Sequence, residues 1–96
     1  MSLPTIIIDA NGVHDVRDFW DRYVVATRPE GADVFGRNLD AFWDAVEGGG
    51  PGYPGEVALH FVNMSSLRTL PNGEAFLSAF AEIASEATMT SITWED

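Results

Sequence analysis

The sequence predicts an α/β protein of the three-layer type, in which about four helices pack on a three-stranded parallel sheet. Short runs of β-branched and apolar residues alternate with longer segments that repeat apolar residues every three or four positions. The resulting order is strand, helix, helix, strand, helix, helix, strand. Because helices separate the strands, right-handed crossovers can join all of them into one parallel sheet. A chain of 96 residues builds one core, so we expect a single domain over residues 1–96.

The first strand and the first helix are predicted before residue 28. Residues 5–8 read TIII, a consecutive apolar run that is typical of a strand covered on both faces. After a turn at residues 11–12, Asp15 is the expected N-cap of a helix. The inward-facing stripe of this helix comprises Val16, Phe19, Trp20 and Tyr23. The helix should end before Arg28, because the residue preceding Pro29 avoids the α conformation.

The second helix is predicted to start near Asn38 and to carry two stripes. One stripe is apolar and consists of Leu39, Phe42, Trp43 and Val46. The other is acidic, lies roughly 120° around the helix, and consists of Asp40, Asp44 and Glu47. Like charges four residues apart repel by a few tenths of a kcal/mol, so such a row either serves solubility or faces a cation. The sequence GGGPG at residues 48–52 cannot remain helical and ends the segment.

The second half of the chain predicts a strand, two helical segments and a last strand. Residues 56–62 form the strand, in which His60 is interpreted as a hydrogen-bonded sheet residue, and residues 63–70 form a short helix or turn. Asn72 is the expected cap of a last helix. The inward-facing residues of that helix are Phe76, Phe80, Ile83 and Ala84. Residues 89–94 form the last strand, with Thr90, Ile92 and Trp94 on one side.

Composition favours a protein partner for this chain. Fifteen Asp and Glu residues against five Arg give a net charge of −10, which repels phosphate backbones and attracts basic proteins. There are no cysteines, which excludes disulfides and thiolate metal sites. We expect no direct nucleic-acid binding, no metal and no cofactor. The N-terminus has no basic region and no segment reaches the ~20 apolar residues of a membrane helix, so we expect a cytoplasmic protein without membrane contact. We also expect a monomer.

Residues 35–46 and 53–61 carry a resemblance to a known family. They read FGRNLDAFWDAV and YPGEVALHF, with the glycine-rich run between them. This order and spacing resemble the barstar family of intracellular ribonuclease inhibitors. The family pattern is an aromatic-Gly-x-Asn-Leu-Asp-Ala-aliphatic/aromatic-Trp-Asp segment, followed by Tyr-Pro leading into a strand. The resemblance covers nearly the whole chain, most weakly before Asp15, and implies a barstar-like fold.

The resemblance implies that carboxylates on the second helix bind the cationic cleft of a small basic ribonuclease. They would take the positions of RNA phosphates and accept charge-assisted hydrogen bonds from its arginines. Asp44 would be the deepest phosphate surrogate, with Asp40 beside it and Glu82 as a second acidic contact from the last helix. Supporting or bordering residues would be Trp43, Val34, Gly36 and Gly48.

Two departures from the family pattern leave an alternative open. Val34 stands where the family often has a second aromatic before the glycine, and the loop after the helix is one residue longer and lacks a tryptophan. The alternative is therefore a barstar-fold binding module with a different basic partner, such as another toxin nuclease or a regulatory protein. For Trp43, packing at the edge of the core and contact with the partner both remain open.

An enzyme is the third hypothesis and the least favoured. It would require a deep pocket that holds Asp40, Asp44 or His60. Both aspartates are expected on one exposed helix face, where nothing separates their pKa values as acid/base roles require. No Ser–His–Asp, Cys–His or metal-ligand pattern is present. We therefore assign no catalytic residue.

Overall fold

The computed structural model describes residues 3–96 as three strands and three α-helices, with two 3-10 helices in the connections. The elements in chain order are β1 (Thr5–Asp9), α1 (Val16–Thr27), a 3-10 turn (Ala32–Val34), α2 (Leu39–Gly48), β2 (Ala58–Val62), a 3-10 helix (Met64–Thr69), α3 (Gly73–Glu86) and β3 (Ser91–Trp94). The short helix predicted before the last helix is the 3-10 helix Met64–Thr69. The predicted order of strands and helices is confirmed, and so is the α/β fold class.

The three strands form one parallel sheet with the order β1-β2-β3. Ile7 pairs with His60, which in turn pairs with Thr93 on β3. In the next row, Ile8 pairs with Phe61, which pairs with Trp94. Neighbouring strands in the sheet are thus neighbours in sequence order, as is usual for strands joined by short connections.

All three α-helices pack on the same face of this sheet, so the fold of residues 3–96 has two layers and the predicted three-layer arrangement is not observed. The ring of Phe61 on β2 contacts Phe19 of α1, Phe42 of α2 and Phe80 of α3, at centroid distances of 5.8, 6.1 and 4.8 Å. All four rings are fully buried. Because one strand residue contacts every helix, the core is a single aromatic cluster that fixes the position of α2 relative to α1 and α3.

The other face of the sheet is open at β1. Successive strand residues point to opposite faces, and Ile7 lies opposite the buried Ile8 with 60% of its surface exposed. On β3, Ser91 and Thr93 are exposed as well. The prediction that residues 5–8 are covered on both faces is therefore wrong for Ile7. Isoleucine suits the extended, pleated backbone of a strand whether or not a helix covers it.

The helix ends confirm the cap predicted at Asp15 and the helix start predicted near Asn38, and they correct the cap predicted at Asn72. Asp15 accepts a hydrogen bond from the backbone N–H of Asp18 at 2.7 Å, and Asn38 accepts one from Ala41 at 2.8 Å. Asn72 precedes α3 but adopts a left-handed backbone with φ of 60°, and its side chain makes no cap hydrogen bond among the described residues. Its role is to turn the chain into the helix, a conformation that asparagine tolerates better than most residues.

Helix α3 packs through a slightly different face from the predicted one. Phe80 is fully buried, whereas the other predicted inward residues, Phe76, Ile83 and Ala84, are partly buried against the core. Leu77, one turn before Phe80, is the second buried apolar side chain and was not predicted. The side of α3 that carries Leu77 and Phe80 therefore faces the sheet.

Candidate partner-binding site

Helix α2 is held so that one face is buried and the opposite face is exposed. Its buried residues are Phe42, Ala45 and Val46. At its end, the backbone N–H of Gly49 bonds to the oxygen of Ala45, and the N–H of Gly50 bonds to the oxygen of Asp44, both at 3.2 Å. These two bonds satisfy main-chain oxygens that a helix end otherwise leaves unpaired. The helix is thus a fixed support for the side chains on its outer face.

The predicted site residues on and around α2 are all exposed to solvent. On the helix itself these are Asp40, Trp43, Asp44 and its last residue Gly48, and before the helix they are Val34 and Gly36. Val34 has 67% of its surface exposed, and Trp43, whose role was left open, has 36% exposed. Two apolar side chains therefore accompany the two aspartates at the surface.

The carboxylates of Asp40, Asp44 and Glu82 form no ion pair with any residue in the range 3–96. Three of the five arginines are occupied elsewhere: Arg22 by Asp18, Arg37 by Asp21, and Arg68 by Glu74 and Asp96. Neutralisation by the chain's own arginines would have ended the hypothesis of a cation-binding face. The ion pairs of the described chain leave that face unneutralised.

Glu47 belongs to the same acidic stripe but has a role within the fold. Its carboxylate accepts hydrogen bonds of 2.9 Å from the N–H of Met89, the N–H of Thr88 and the hydroxyl of Thr88. These donors hold the pKa of Glu47 below its usual range, because they stabilise the charged form. They also fasten the end of α2 to the segment that leads into β3. The free part of the acidic stripe is thus Asp40 and Asp44.

The loops on either side of α2 are fastened to each other through α1. The buried hydroxyl of Tyr23 donates a 2.7 Å hydrogen bond to the main-chain oxygen of Gly52, and the N–H of Gly52 donates a 3.0 Å bond to the main-chain oxygen of Glu30. Burial raises the pKa of Tyr23, so the hydroxyl keeps its proton and remains a donor. The ring of Phe35 packs closely on the backbone of Gly52, since a Cβ atom added at residue 52 would lie only 2.5 Å from the ring. Val34, next to Phe35, is thereby fixed near the chain that follows α2.

Glu82 lies on the helix beside α2. The rings of Phe42 and Phe80 stack at 5.9 Å with an interplanar angle of 15°, which joins α2 to α3. Asp44 and Glu82 each follow one of these rings by two residues, roughly 200° around their helices, and both are exposed. Two neighbouring helices therefore turn acidic side chains away from the shared core.

The structure confirms that His60 is a hydrogen-bonded residue of the sheet. Its Nδ1 lies 2.6 Å from the hydroxyl of Thr93, and its Nε2 lies 2.9 Å from a carboxylate oxygen of Glu95.

A surface cavity of about 230 Å³ lies at the end of α1 and contains none of Asp40, Asp44 and His60. Its lining residues are Arg28, Pro29, Glu30, Tyr53, Pro54 and Gly55.

The described residues contain neither a cluster of metal ligands nor a helix that could span a membrane. Over residues 3–96, no group of three or more His, Asp or Glu side chains has the arrangement needed to hold a metal ion. Within the same range, no helix combines the length and the apolar character that crossing a membrane would require.

Comparison with protein families supplies the relationship that the geometry alone cannot. The family model described as "Barstar (barnase inhibitor)" matches residues 3–94 of the 96-residue chain. The chain belongs to the barstar family. The match confirms the resemblance carried by residues 35–46 and includes the segment before Asp15, where that resemblance is weakest. Because the family is described as barnase inhibitor, membership indicates a protein that is barnase-inhibitor-like. A comparison with individual curated proteins finds no match.

Proposed function

We propose that this barstar-family protein inhibits a small basic ribonuclease by placing carboxylates in its cationic cleft, where RNA phosphates would otherwise bind. Asp44 is the central carboxylate, Asp40 lies one turn before it, and Glu82 contributes from α3. The observation that carries the proposal is that these three exposed groups have no ion-pair partner in residues 3–96, whereas Arg22, Arg37 and Arg68 are each paired elsewhere. An acidic face left open in this way is suited to an external cation.

The chemistry of such a cleft matches what α2 offers. A ribonuclease holds phosphate oxygens with arginine, lysine and histidine, and a carboxylate accepts the same charge-assisted hydrogen bonds, including the two-pronged bond from a guanidinium. Because Asp40 and Asp44 stand on a capped helix, little backbone freedom is lost when they bind. The net charge of −10 would also accelerate encounter with a basic enzyme.

The apolar neighbours Trp43 and Val34 supply a second part of the surface. An interface core contains aromatic and apolar side chains that exclude water from the charged contacts. Trp43 directly precedes Asp44 on α2. Val34 lies in the turn before α2, which is connected to the chain that follows the helix. Gly36 and Gly48, both exposed, would allow close approach of the enzyme to the backbone. Water exclusion at these positions would strengthen the bonds to Asp44.

The test is inhibition of RNA cleavage by guanyl-preferring microbial ribonucleases. Wild-type protein should inhibit at a stoichiometry of one to one. Asp44→Ala should lose most of the inhibition, with smaller losses for Asp40→Ala and Glu82→Ala. Glu74→Ala is the matched control, because it removes the same charge from α3 at a residue already paired with Arg68. If the wild type forms no complex with any such enzyme at low salt, the proposal is wrong.

A binding module for a different basic partner is the alternative that the loop sequence favours. Val34 and the run GGGPG at residues 48–52 lie where the family pattern has aromatic residues, so the rim of the site differs even though the acidic centre is retained. Affinity capture on the wild type, with Asp44→Ala as the control bait, separates the two. Recovery of a basic protein that is not a ribonuclease, lost with Asp44→Ala, would replace the first proposal. The cytoplasmic location and the monomeric state stay predictions.

A further inference from the structure

The carboxylate of Asp44 lies against the backbone of the glycine loop, which comprises residues 48–50. A Cβ atom added to Gly48 would lie 3.0 Å from Oδ1 of Asp44, and a Cβ atom added to Gly50 would overlap Oδ2. The first distance is tight but tolerable with a small shift, whereas real Cβ atoms do not come as close to an oxygen as one at residue 50 would. Oδ2 of Asp44 therefore occupies space that is available only because residue 50 lacks a side chain.

The glycine loop contacts the carboxylate without hydrogen bonding to it. The N–H of Gly49 is used by the main-chain oxygen of Ala45, and that of Gly50 by the main-chain oxygen of Asp44. The oxygen of Gly50 in turn accepts from the N–H of Tyr53 at 3.0 Å, so the backbone at Gly50 is itself fastened. Within residues 3–96 the Asp44 carboxylate accepts no hydrogen bond. The acceptor capacity of the carboxylate is therefore free for a partner.

Gly49 and Gly50 are glycines for different physical reasons. Gly49 has φ of 73°, a left-handed backbone that ends the helix, and a Cβ there would meet nothing within 4 Å. Gly50 is not among the residues with positive φ, so its backbone accepts an L-amino acid without strain. What a side chain at residue 50 would meet is the Asp44 carboxylate. Conformation requires glycine at residue 49, whereas the position of Asp44 requires it at residue 50.

We propose that Gly50 is a positioning residue for Asp44: because residue 50 has no Cβ, the carboxylate at the end of α2 can take the orientation seen here, in which it is ready to bind a single guanidinium of the partner. The identity of that partner rests on the proposed function, whereas the positioning concerns the free protein alone. A group that is oriented before binding loses less side-chain entropy on binding. The longer loop without a tryptophan therefore provides a surface against which Asp44 rests.

The first experiment uses the free protein and compares Gly50→Ala with Gly49→Ala. Three-bond couplings between Hα and Hβ of Asp44 report its χ1 rotamer. Gly50→Ala should change these couplings and leave the melting temperature nearly unchanged, because the displaced atoms belong to an exposed, flexible side chain. Gly49→Ala, the matched control, should lower the melting temperature through strain and preserve the couplings. Couplings of wild-type size in Gly50→Ala would overturn the proposal.

The second experiment measures binding to a ribonuclease that the wild type inhibits. Gly50→Ala should weaken inhibition by about ten- to a hundredfold, the scale expected for a misplaced contact group. In the Asp44→Asn background the same substitution should change affinity by less than about twofold, because the group it displaces has lost its charge. An undiminished effect in that background would mean that the new methyl group collides with the enzyme, and the positioning role would be wrong. If no ribonuclease binds, the proposed function fails, while the Asp44 couplings still decide the role of Gly50.

Discussion

Arg37 lies three residues before Asp40 in the sequence, but its Nε donates a 2.7 Å hydrogen bond to Oδ1 of Asp21 on α1. Its Nη1 contacts the main-chain oxygens of Phe35 and Ala32 at 3.3 and 3.5 Å. The arginine nearest to the acidic face in sequence is thus directed away from it and joins the loop before α2 to α1. The negative charge of α2 is preserved, and the same interaction stabilises the loop that carries Val34.

Replacing Arg37 with alanine should therefore loosen this loop. We expect the free energy of unfolding to fall by up to about 1 kcal/mol, since both partners of the ion pair are partly exposed. Inhibition of a ribonuclease should weaken as Val34 becomes less ordered. Arg17→Ala is the control for charge, because Arg17 is exposed on α1 and has no ion pair within residues 3–96. Denaturant unfolding and inhibition assays measure both effects, and equal results for the two variants would mean that only net charge matters.

Glu47→Gln should destabilise the protein in a pH-dependent way. The folded-state pKa of Glu47 is lowered, so its contribution is present above the unfolded value of 4.5 and is lost as the pH falls through the folded value. An amide NH₂ at this position would face the N–H and hydroxyl donors of Thr88 and Met89. The difference in unfolding free energy between wild type and Glu47→Gln should be largest at neutral pH and shrink below about pH 4.5.

The control for Glu47→Gln is Glu86→Gln, measured by urea unfolding at pH 7. Glu86 is exposed at the end of α3, and its carboxylate has no hydrogen-bond partner in the described part of the chain. Its substitution should leave the free energy of unfolding within about 0.5 kcal/mol of wild type. A pH-independent loss in Glu47→Gln would show that the carboxylate charge is not what holds residues 88–89.

Tyr23→Phe should weaken the link between α1 and the chain after α2. The substitution leaves the buried oxygen of Gly52 without its 2.7 Å donor, at a cost of about 1–3 kcal/mol. It should also change the response to alkali. Because burial raises the pKa of Tyr23, the hydroxyl favours folding below its unfolded value of 10, and this contribution is lost as the pH rises above it. Thermal unfolding from pH 8 to 11 should show an alkaline decline that is smaller in Tyr23→Phe.

Ile7→Thr and Ile8→Thr should have very different effects although the residues are adjacent. Ile7 is largely exposed, so its replacement by another β-branched residue should change stability by no more than about 0.5 kcal/mol. Ile8 is buried, and the same change there places a hydroxyl in the core at a cost of about 1–3 kcal/mol, in addition to the lost apolar contacts. Comparable losses for the two variants in urea unfolding would mean that a further layer covers Ile7.

The fold could be predicted from sequence wherever the signals are local. Asp15 and Asn38 stand immediately before their helices, and the N–H groups they accept from lie three residues away. Asn72 was misassigned because the same residue type serves both as a cap and as a left-handed turn. The exposure of Ile7 depends on which face of the sheet the helices cover, and an unbroken apolar run does not specify that face.

The site was predicted in outline, and its internal contacts were not. Exposure of Asp40 and Asp44 follows from the helical period and the buried position of Phe42. Glu47 differs from these two residues because it accepts a hydrogen bond from Thr88, 41 residues later in the sequence. No local sequence pattern reveals such a contact. The role of Gly50 was also missed, because three consecutive glycines indicate a helix stop without showing which of them contacts a side chain. The helical period of the sequence thus identifies the exposed face of α2. Contacts between residues that are distant in sequence determine which carboxylates on that face remain unpaired.

The most direct measurement is a double-mutant cycle between Asp44→Ala and the alanine substitution of an arginine that binds RNA phosphate in the inhibited ribonuclease. Dissociation constants for the four combinations give the coupling between the two side chains. If Asp44 occupies the position of a phosphate, the effects should be strongly non-additive, with a coupling of about 1 kcal/mol or more. Additive effects, repeated with each phosphate-binding arginine, would show that Asp44 does not take the place of RNA in the cleft.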